Sequence, residues 1–262
     1  MTTATDSRID FKGIKHHYER DGVAHIPAVF SKAEMDRLRA LAFWGLGRTD
    51  RDEPYRSGRR IQMAPGDGVF PAIQFWPALD NWVLDEVRKD PRIQDVVRSV
   101  LGDDVRQLNN QLYYRMRGDG DAFGWHRDSV FRKGMSETFA PGTDYLQTVV
   151  AVDTVNSRNG GMYFDTAGDD SLLEMVDKEN LRTEPDVDLR PRTVYEYAMA
   201  SGDMLIWNAR TPHASRCNRS DLGRMTYMNG FAKTSGCQSG AWPDYLVGGE
   251  LAEVDPERIP YQ

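Results

Sequence analysis

Two segments carry apolar residues at helical spacing between clear stop signals. Ser31 and Glu34 form a capping-box pattern, and Met35, Leu38 and Leu41 follow at intervals of three. Asp90-Pro91 pairs an N-cap carboxylate with a proline at the first helical position. Ile93, Val96, Val97, Val100 and Leu101 then make one apolar stripe, and Gly102 stands where a C-cap belongs. A shorter helix is predicted over 11–19, ending ahead of Asp21-Gly22, followed by a strand over 23–26 that Pro27 stops. Residues 1–9 read as a disordered start. The stretch 45–77, rich in Gly, Pro and Arg, reads as a long loop of the kind that forms lids or binding loops.

The texture changes after Gly102. Short apolar or alternating runs at 108–116, 146–155, 194–199, 204–207 and 225–231 are bounded by Gly, Asp and Asn. Strands at such intervals predict an all-β sandwich or barrel. The chain therefore reads as one domain, 1–262, with a helical part over about 11–102, a mainly β core over about 103–235, and a C-terminal extension, 236–262.

Composition narrows the function classes. The 262 residues include 33 Lys plus Arg against 40 Asp plus Glu, a net charge of −7. An acidic balance argues against nucleic acid as the partner, because phosphate binding needs a concentrated cationic face. No apolar run reaches the roughly 18 residues of a membrane helix, and residues 1–10 contain no apolar signal core. Cys217 and Cys237 are too few for a disulfide framework or a Cys-rich zinc site, and read as free thiols in a reducing cytoplasm. A cytoplasmic protein acting on a small molecule is the expectation.

The candidate chemistry sits on two of the five histidines. In Trp125-His126-Arg127-Asp128, a strand conformation would put His126 and Asp128 on one face. Alone, such a pair is as well explained by a surface His–Asp contact. The second segment runs from the apolar strand Gly202–Trp207 through a turn to His213, then Ser215, Asn218 and Arg224. His213 and Arg224 on adjacent antiparallel strands could face one cavity. Taken together, two His and one carboxylate form the facial triad of non-haem Fe(II) oxygenases, with open positions for a bidentate keto acid and dioxygen. The far carboxylate of the keto acid needs a cation, and Arg224 supplies one suited to two parallel hydrogen bonds. Two other readings stay open on these residues: a cupin-like metalloenzyme that does not use 2-oxoglutarate, and a non-catalytic jelly-roll binding protein. A serine hydrolase lacks its G-x-S-x-G elbow.

These motifs resemble the phytanoyl-CoA dioxygenase-like family of Fe(II)/2-oxoglutarate-dependent dioxygenases, which includes ectoine hydroxylases. The matching features are W-H-x-D at 125–128, G-D-x-L-x-W at 202–207, the run from His213 to Arg224, and the Asn159-Gly160-Gly161 turn. The resemblance implies a double-stranded β-helix (jelly roll, cupin-like) core with flanking helices. It implies Fe(II) held by His126, Asp128 and His213, and 2-oxoglutarate held by Arg224 with Ser215 as helper. Gln111 and Thr148 are further candidates for cosubstrate contact. Dioxygen would be the oxidant, and succinate and CO2 the coproducts of hydroxylating a C–H bond. Because the carboxylate ligand Asp128 is present, hydroxylation is favoured over halogenation. The family's Pro-Gly-x-His signature is replaced by Met162–Asp169, which reads as a divergent loop.

The substrate site should be lined by 129–133 and by Arg56, Arg59, Arg60, Gln62, Phe75 and Trp76 of the long loop. Arginines there would suit an anionic substrate, and aromatics could enclose a cation. The expected substrate is a small polar or anionic metabolite. His16, His17, His25 and Cys217 read as solvated or packing residues.

Overall fold

The computed structural model describes residues 9–42, 61–63, 71–115, 122–131, 134–167, 184–185 and 193–259. Helix α1 (Phe11–Asp21) runs two residues further than its apolar pattern, because Gly22 adopts a left-handed conformation (φ 73°) and its N–H closes the helix on the Tyr18 carbonyl. Strand β1 (Val23–Ile26) and helix α2 (Lys32–Leu41) follow as expected, with both halves of the Ser31/Glu34 capping box formed. The stretch predicted as a loop contains β2 (Ile61–Met63) and β3 (Pro71–Phe75), an antiparallel hairpin. Helix α3 (Trp82–Arg88) has no sequence-level expectation behind it; the Asn81 side chain starts it by accepting from the Val83 and Leu84 N–H groups. Helix α4 (Pro91–Leu101) begins and ends at its anticipated caps, buries Ile93, Val96, Val97 and Leu101, and leaves Val100 partly buried against the same cluster.

The β core has two antiparallel sheets. The larger runs β1-β9-β6-β11-β4-β12-β13, built from β4 (Val105–Arg115), β6 (Tyr145–Ala151), β9 (Met204–Trp207), β11 (Arg224–Lys233), β12 (Asp244–Val247) and β13 (Glu250–Leu251), with the β2–β3 hairpin docked on β4. The smaller runs β5-β10-β7-β8, from β5 (Phe123–His126), β7 (Met162–Asp165), β8 (Val194–Tyr197) and β10 (His213–Ser215). The segment expected to be a divergent loop therefore opens as strand β7, whose four residues are all buried.

Period-two alternation assigns each large-sheet residue to a layer. Leu146, Val150, Ile206 and Tyr227 pack with Met35, Leu38, Leu84, Ile93 and Val97 in a core under the helices. Their neighbours Val149, Leu205 and Trp207 face the other way and pack with Met162 and Phe164 of the smaller sheet. Trp125, Tyr163 and Ala214 cover that sheet's outer side. Helices, large sheet and small sheet are thus three layers, the double-stranded β-helix with flanking helices. Among the described residues no helix is long and apolar enough to cross a membrane.

Candidate metal centre

The site lies between the sheets and is built on the smaller one. The β5–β10 register pairs His126 directly with His213, so both imidazoles leave the same face, ring centroids 4.1 Å apart. Asp128 reaches them differently from the strand expectation. Strand β5 ends at His126, and Asp128 opens a 3-10 turn, Asp128–Phe131, anchored by the Ser129 N–H on the Ala209 carbonyl (3.0 Å). The turn swings the carboxylate inward until its Oδ1 lies 3.8 Å from His213 Nε2. One ligand atom from each of the three residues lies within 4.8 Å of the others, and all three residues are buried.

Each imidazole is oriented by its own backbone. His126 Nδ1 lies 2.8 Å from the Gly124 carbonyl, and His213 Nδ1 lies 3.0 Å from the Thr211 carbonyl. A carbonyl only accepts, so each Nδ1 donates its N–H there and each Nε2 is left as the lone-pair atom that can ligate a cation. Aromatic rings wall the pair in. Phe164 stacks on His213 at 5.5 Å, Trp207 lies 5.1 Å from it, and Phe123 meets the His126 ring edge at 4.4 Å. Two imidazole nitrogens and one carboxylate oxygen, convergent and buried, fit a divalent transition metal with positions left open.

A second polar end lies along β10. Ser215 is two residues from His213 and so on the same face. Its Oγ accepts from Arg115 Nη2 at 3.0 Å. Arg115 ends β4 and stands opposite Arg224, the first residue of β11. Arg224 and His213 are therefore not on adjacent strands, as the sequence suggested, but on opposing sheets that meet across the site. Arg224 Nη1 donates to the Gly160 carbonyl. A Cβ at Gly160 would lie 3.3 Å from Arg115 Cδ, 3.5 Å from Arg224 Nη1 and only 2.8 Å from the Arg216 carbonyl, and φ there is +94°. Only glycine fits this turn, which is why the Asn159-Gly160-Gly161 segment is legible as a motif. Arg115 has no motif to announce it; it lies within the run predicted over 108–116, and only the pairing of β4 with β11 brings it beside Arg224.

The remaining candidates divide. Gln111 shares the site-facing side of β4 with Arg115 and is paired with Phe75 of β3. Thr148 is on the opposite side of β6, with Leu146 and Val150, and its hydroxyl donates to the Asn229 carbonyl. Phe131 is 40% exposed with its ring 5.6 Å from His126, at the rim of the site. Trp76 is buried, with φ 52° and its N–H on the Asn110 carbonyl. Arg56, Arg59, Arg60, residues 132–133 and the Gln62 side chain lie outside the described residues. Cys217 donates to Glu184 Oε2 at 2.5 Å; burial and that carboxylate push its thiol up to about 11.

The chain resembles curated ectoine dioxygenases. It is 28% identical to that of Stutzerimonas stutzeri (strain A1501) over 111 residues, 42% of this chain and 35% of the relative. It is 27% identical to that of Bordetella bronchiseptica over 143 residues, 55% of this chain and 44% of the relative. The matched part thus spans less than half the length of either relative. Solved structures share the fold. EctD from S. alaskensis, solved with 2-oxoglutarate and 5-hydroxyectoine, superposes with a TM-score of 0.69 at 19% identity, covering 98% of this chain and 89% of that one. The non-haem alpha-ketoglutarate-dependent carbocyclase SnoK from nogalamycin biosynthesis gives 0.64 at 18% identity, with 94% of each chain covered. The non-haem monooxygenase ThoJ gives 0.69 at 20% identity, covering 90% and 84%. The phytanoyl-CoA dioxygenase (PhyH) family model matches residues 18–226, from the last turn of α1 into β11, and the chain belongs to that family.

Proposed function

We propose that this protein is a cytoplasmic, single-domain Fe(II)- and 2-oxoglutarate-dependent oxygenase that hydroxylates an unactivated C–H bond of a small polar or anionic metabolite, releasing succinate and CO2. The observation that carries the reading is the buried, convergent His126–Asp128–His213 cluster, with each Nδ1 anchored on a backbone carbonyl. The likeness to ectoine dioxygenases supports a small polar substrate. His126, Asp128 and His213 would hold the iron, which when bound supplies the oxidising chemistry together with dioxygen and the keto acid.

The protein's own residues would do the rest. Arg224, buried between the sheets, would receive the distal carboxylate of 2-oxoglutarate, with the Ser215 hydroxyl and Arg115 beside it. A charge-assisted, desolvated contact of this kind selects a dicarboxylic keto acid over a monocarboxylic one. Phe164, Trp207 and Phe123 exclude water from the metal side. Gln111 and its register partner Phe75, with Phe131 beside His126, would border the substrate.

An anaerobic titration of metal-free protein with Fe(II), then 2-oxoglutarate, tests this. A weak visible charge-transfer band is expected; it should vanish in His126→Ala and need far more 2-oxoglutarate in Arg224→Ala. A wild-type protein that retains no metal would overturn the reading. Metal binding without any response to 2-oxoglutarate would point instead to a metalloenzyme that does not use it.

A further inference from the structure

The metal ligands and the groups that aim them come from different sheets. His126 and His213 lie on the smaller sheet, and Asp128 on the turn that follows it. The carboxylate of Asp128 is divided. Its Oδ1 faces His213 Nε2, while its Oδ2 accepts from Trp207 Nε1 at 3.0 Å and lies 3.1 Å from the Tyr145 hydroxyl. Trp207 and Tyr145 belong to β9 and β6 of the larger sheet, and neither side chain is exposed. Behind Tyr145 the contacts continue: Gln147 lies 2.5 Å from its hydroxyl, and the Gln147 and Asn109 amides pair with each other at 3.0 and 3.4 Å.

We propose, resting on the metal-centre reading above, that Trp207 and Tyr145 are positioning residues that hold Asp128 as a one-oxygen ligand. Proton counting supports the direction of the chain. A carboxylate only accepts, and the Tyr145 hydroxyl has one proton to give. Tyr145 donates that one hydrogen bond to Asp128 Oδ2 when the Gln147 amide turns its NH2 toward the Tyr145 oxygen, a turn that gives up the Gln147 Nε2 contact with the Thr148 carbonyl (3.3 Å). The paired Asn109 amide accommodates that orientation, because an amide–amide pair keeps its two contacts when both groups turn over. With two donors on Oδ2, Oδ1 is the oxygen turned toward the histidines and toward a cation between them. The consequence is chemical. A carboxylate that closed on the metal through both oxygens would consume one of the positions that a chelating keto acid and dioxygen require. Two hydrogen bonds to Oδ2 also fix the direction of Oδ1, and groups that orient a ligand in this way commonly tune metal affinity 10–100-fold.

Co(II) added to the metal-free full-length protein is the probe, read by binding isotherm and by the visible d–d band, which reports coordination number. Tyr145→Phe removes one donor and no carbon. It should bind Co(II) about 10-fold more weakly, with a paler band as Asp128 closes through both oxygens, and should lose 2-oxoglutarate affinity at the Co(II) site. Trp207→Phe should act in the same direction. Tyr227→Phe is the control: it deletes another buried hydroxyl of the larger sheet, one that donates to the Leu84 carbonyl away from the metal. It should leave the Co(II) isotherm and band unchanged whatever it does to stability. If Trp207→Phe does not fold, Tyr145→Phe decides alone. Wild-type binding matched by Tyr145→Phe, with the same band, would overturn the clamp and leave the metal centre standing. A wild-type protein that binds no Co(II) would remove both.

Discussion

The two sheets do unequal work. In the smaller one, β5, β10 and β7 are four, three and four residues long, yet they carry both histidines and Ser215. In the larger, β4 and β11 run eleven and ten residues and stay paired along nearly their whole length. Strands of three or four residues hold little structure by themselves. The larger sheet, backed by the helices, is the stable reference. The smaller one is a thin plate of ligands positioned against it by Trp207, Tyr145, Arg115 and the turns at its ends. On the proposed reading, function sits on the weaker element and precision is borrowed from the stronger.

Four substitutions would break or sharpen that contrast. The largest effect on binding is expected from the small sheet: His213→Ala should lower Co(II) or Fe(II) affinity by more than about 100-fold, beyond the range of outer-shell groups, while a metal-free thermal melt still shows a cooperative fold. The largest effect on stability is expected from the other side. Leu146 is fully buried in the core beneath the helices, and Leu146→Ala should cost about 2–5 kcal/mol in urea unfolding. If the two substitutions exchanged phenotypes, the division of labour would be wrong.

Gly22→Ala should touch both properties. At φ +73° an added Cβ would lie 2.1 Å from Thr211 Oγ1. The Gly22 carbonyl accepts from the Asn208 N–H and from that same Thr211 hydroxyl, and the Thr211 carbonyl orients His213. A loss of about 1–3 kcal/mol in chemical denaturation, accompanied by weaker metal binding, is the expected pair of results. Unchanged metal affinity would show that the turn ahead of His213 is set without α1.

The smallest effect is electrostatic and lies far from the site. The Arg92 guanidinium holds the Glu34 carboxyl down at about 2, against an ordinary value of 4.5, with help from Ser31. A depressed carboxylate contributes stability that is complete above its unfolded value and fades as pH falls toward about 2, because the unfolded chain takes up the proton first. Glu34→Gln should therefore flatten the decline in stability between pH 4.5 and 2 slightly, leaving the neutral-pH metal isotherm unchanged. The pair is partly exposed, so the difference is small.

Legibility followed the range of the interactions. The caps of α2 and α4 are local, and Ser31, Glu34, Asp90 and Gly102 announce them. His126, Asp128 and His213 stand out because few histidines compete, and Gly160 because no other residue fits beside Arg216. The turn that aims Asp128, the strand identity of Met162–Asp165 and the site face of Arg115 depend on pairings between distant segments. His126 and His213 are 87 positions apart in sequence (213 − 126) and opposite each other in register. A run such as Met162–Asp165 is too short for its periodicity to tell strand from loop, and α3 is too short for a stripe. Thr148 illustrates the converse: its strand alone suggested the site, but a shift of one residue on a strand moves a side chain to the other layer.

The backbone anchoring of the two imidazoles has an evolutionary side. Gly124 and Thr211 offer their carbonyls, which every amino acid possesses, so no single replacement at either position deletes the acceptor. The tautomer of each histidine is encoded in chain shape and is insulated from drift in neighbouring side chains. Asp128 differs, since its second oxygen leans on the Trp207 and Tyr145 side chains, which one mutation can remove. Divergence that retunes this centre, whether in nature or by design, has its most economical route through the carboxylate, with the histidine pair left as the conserved chassis.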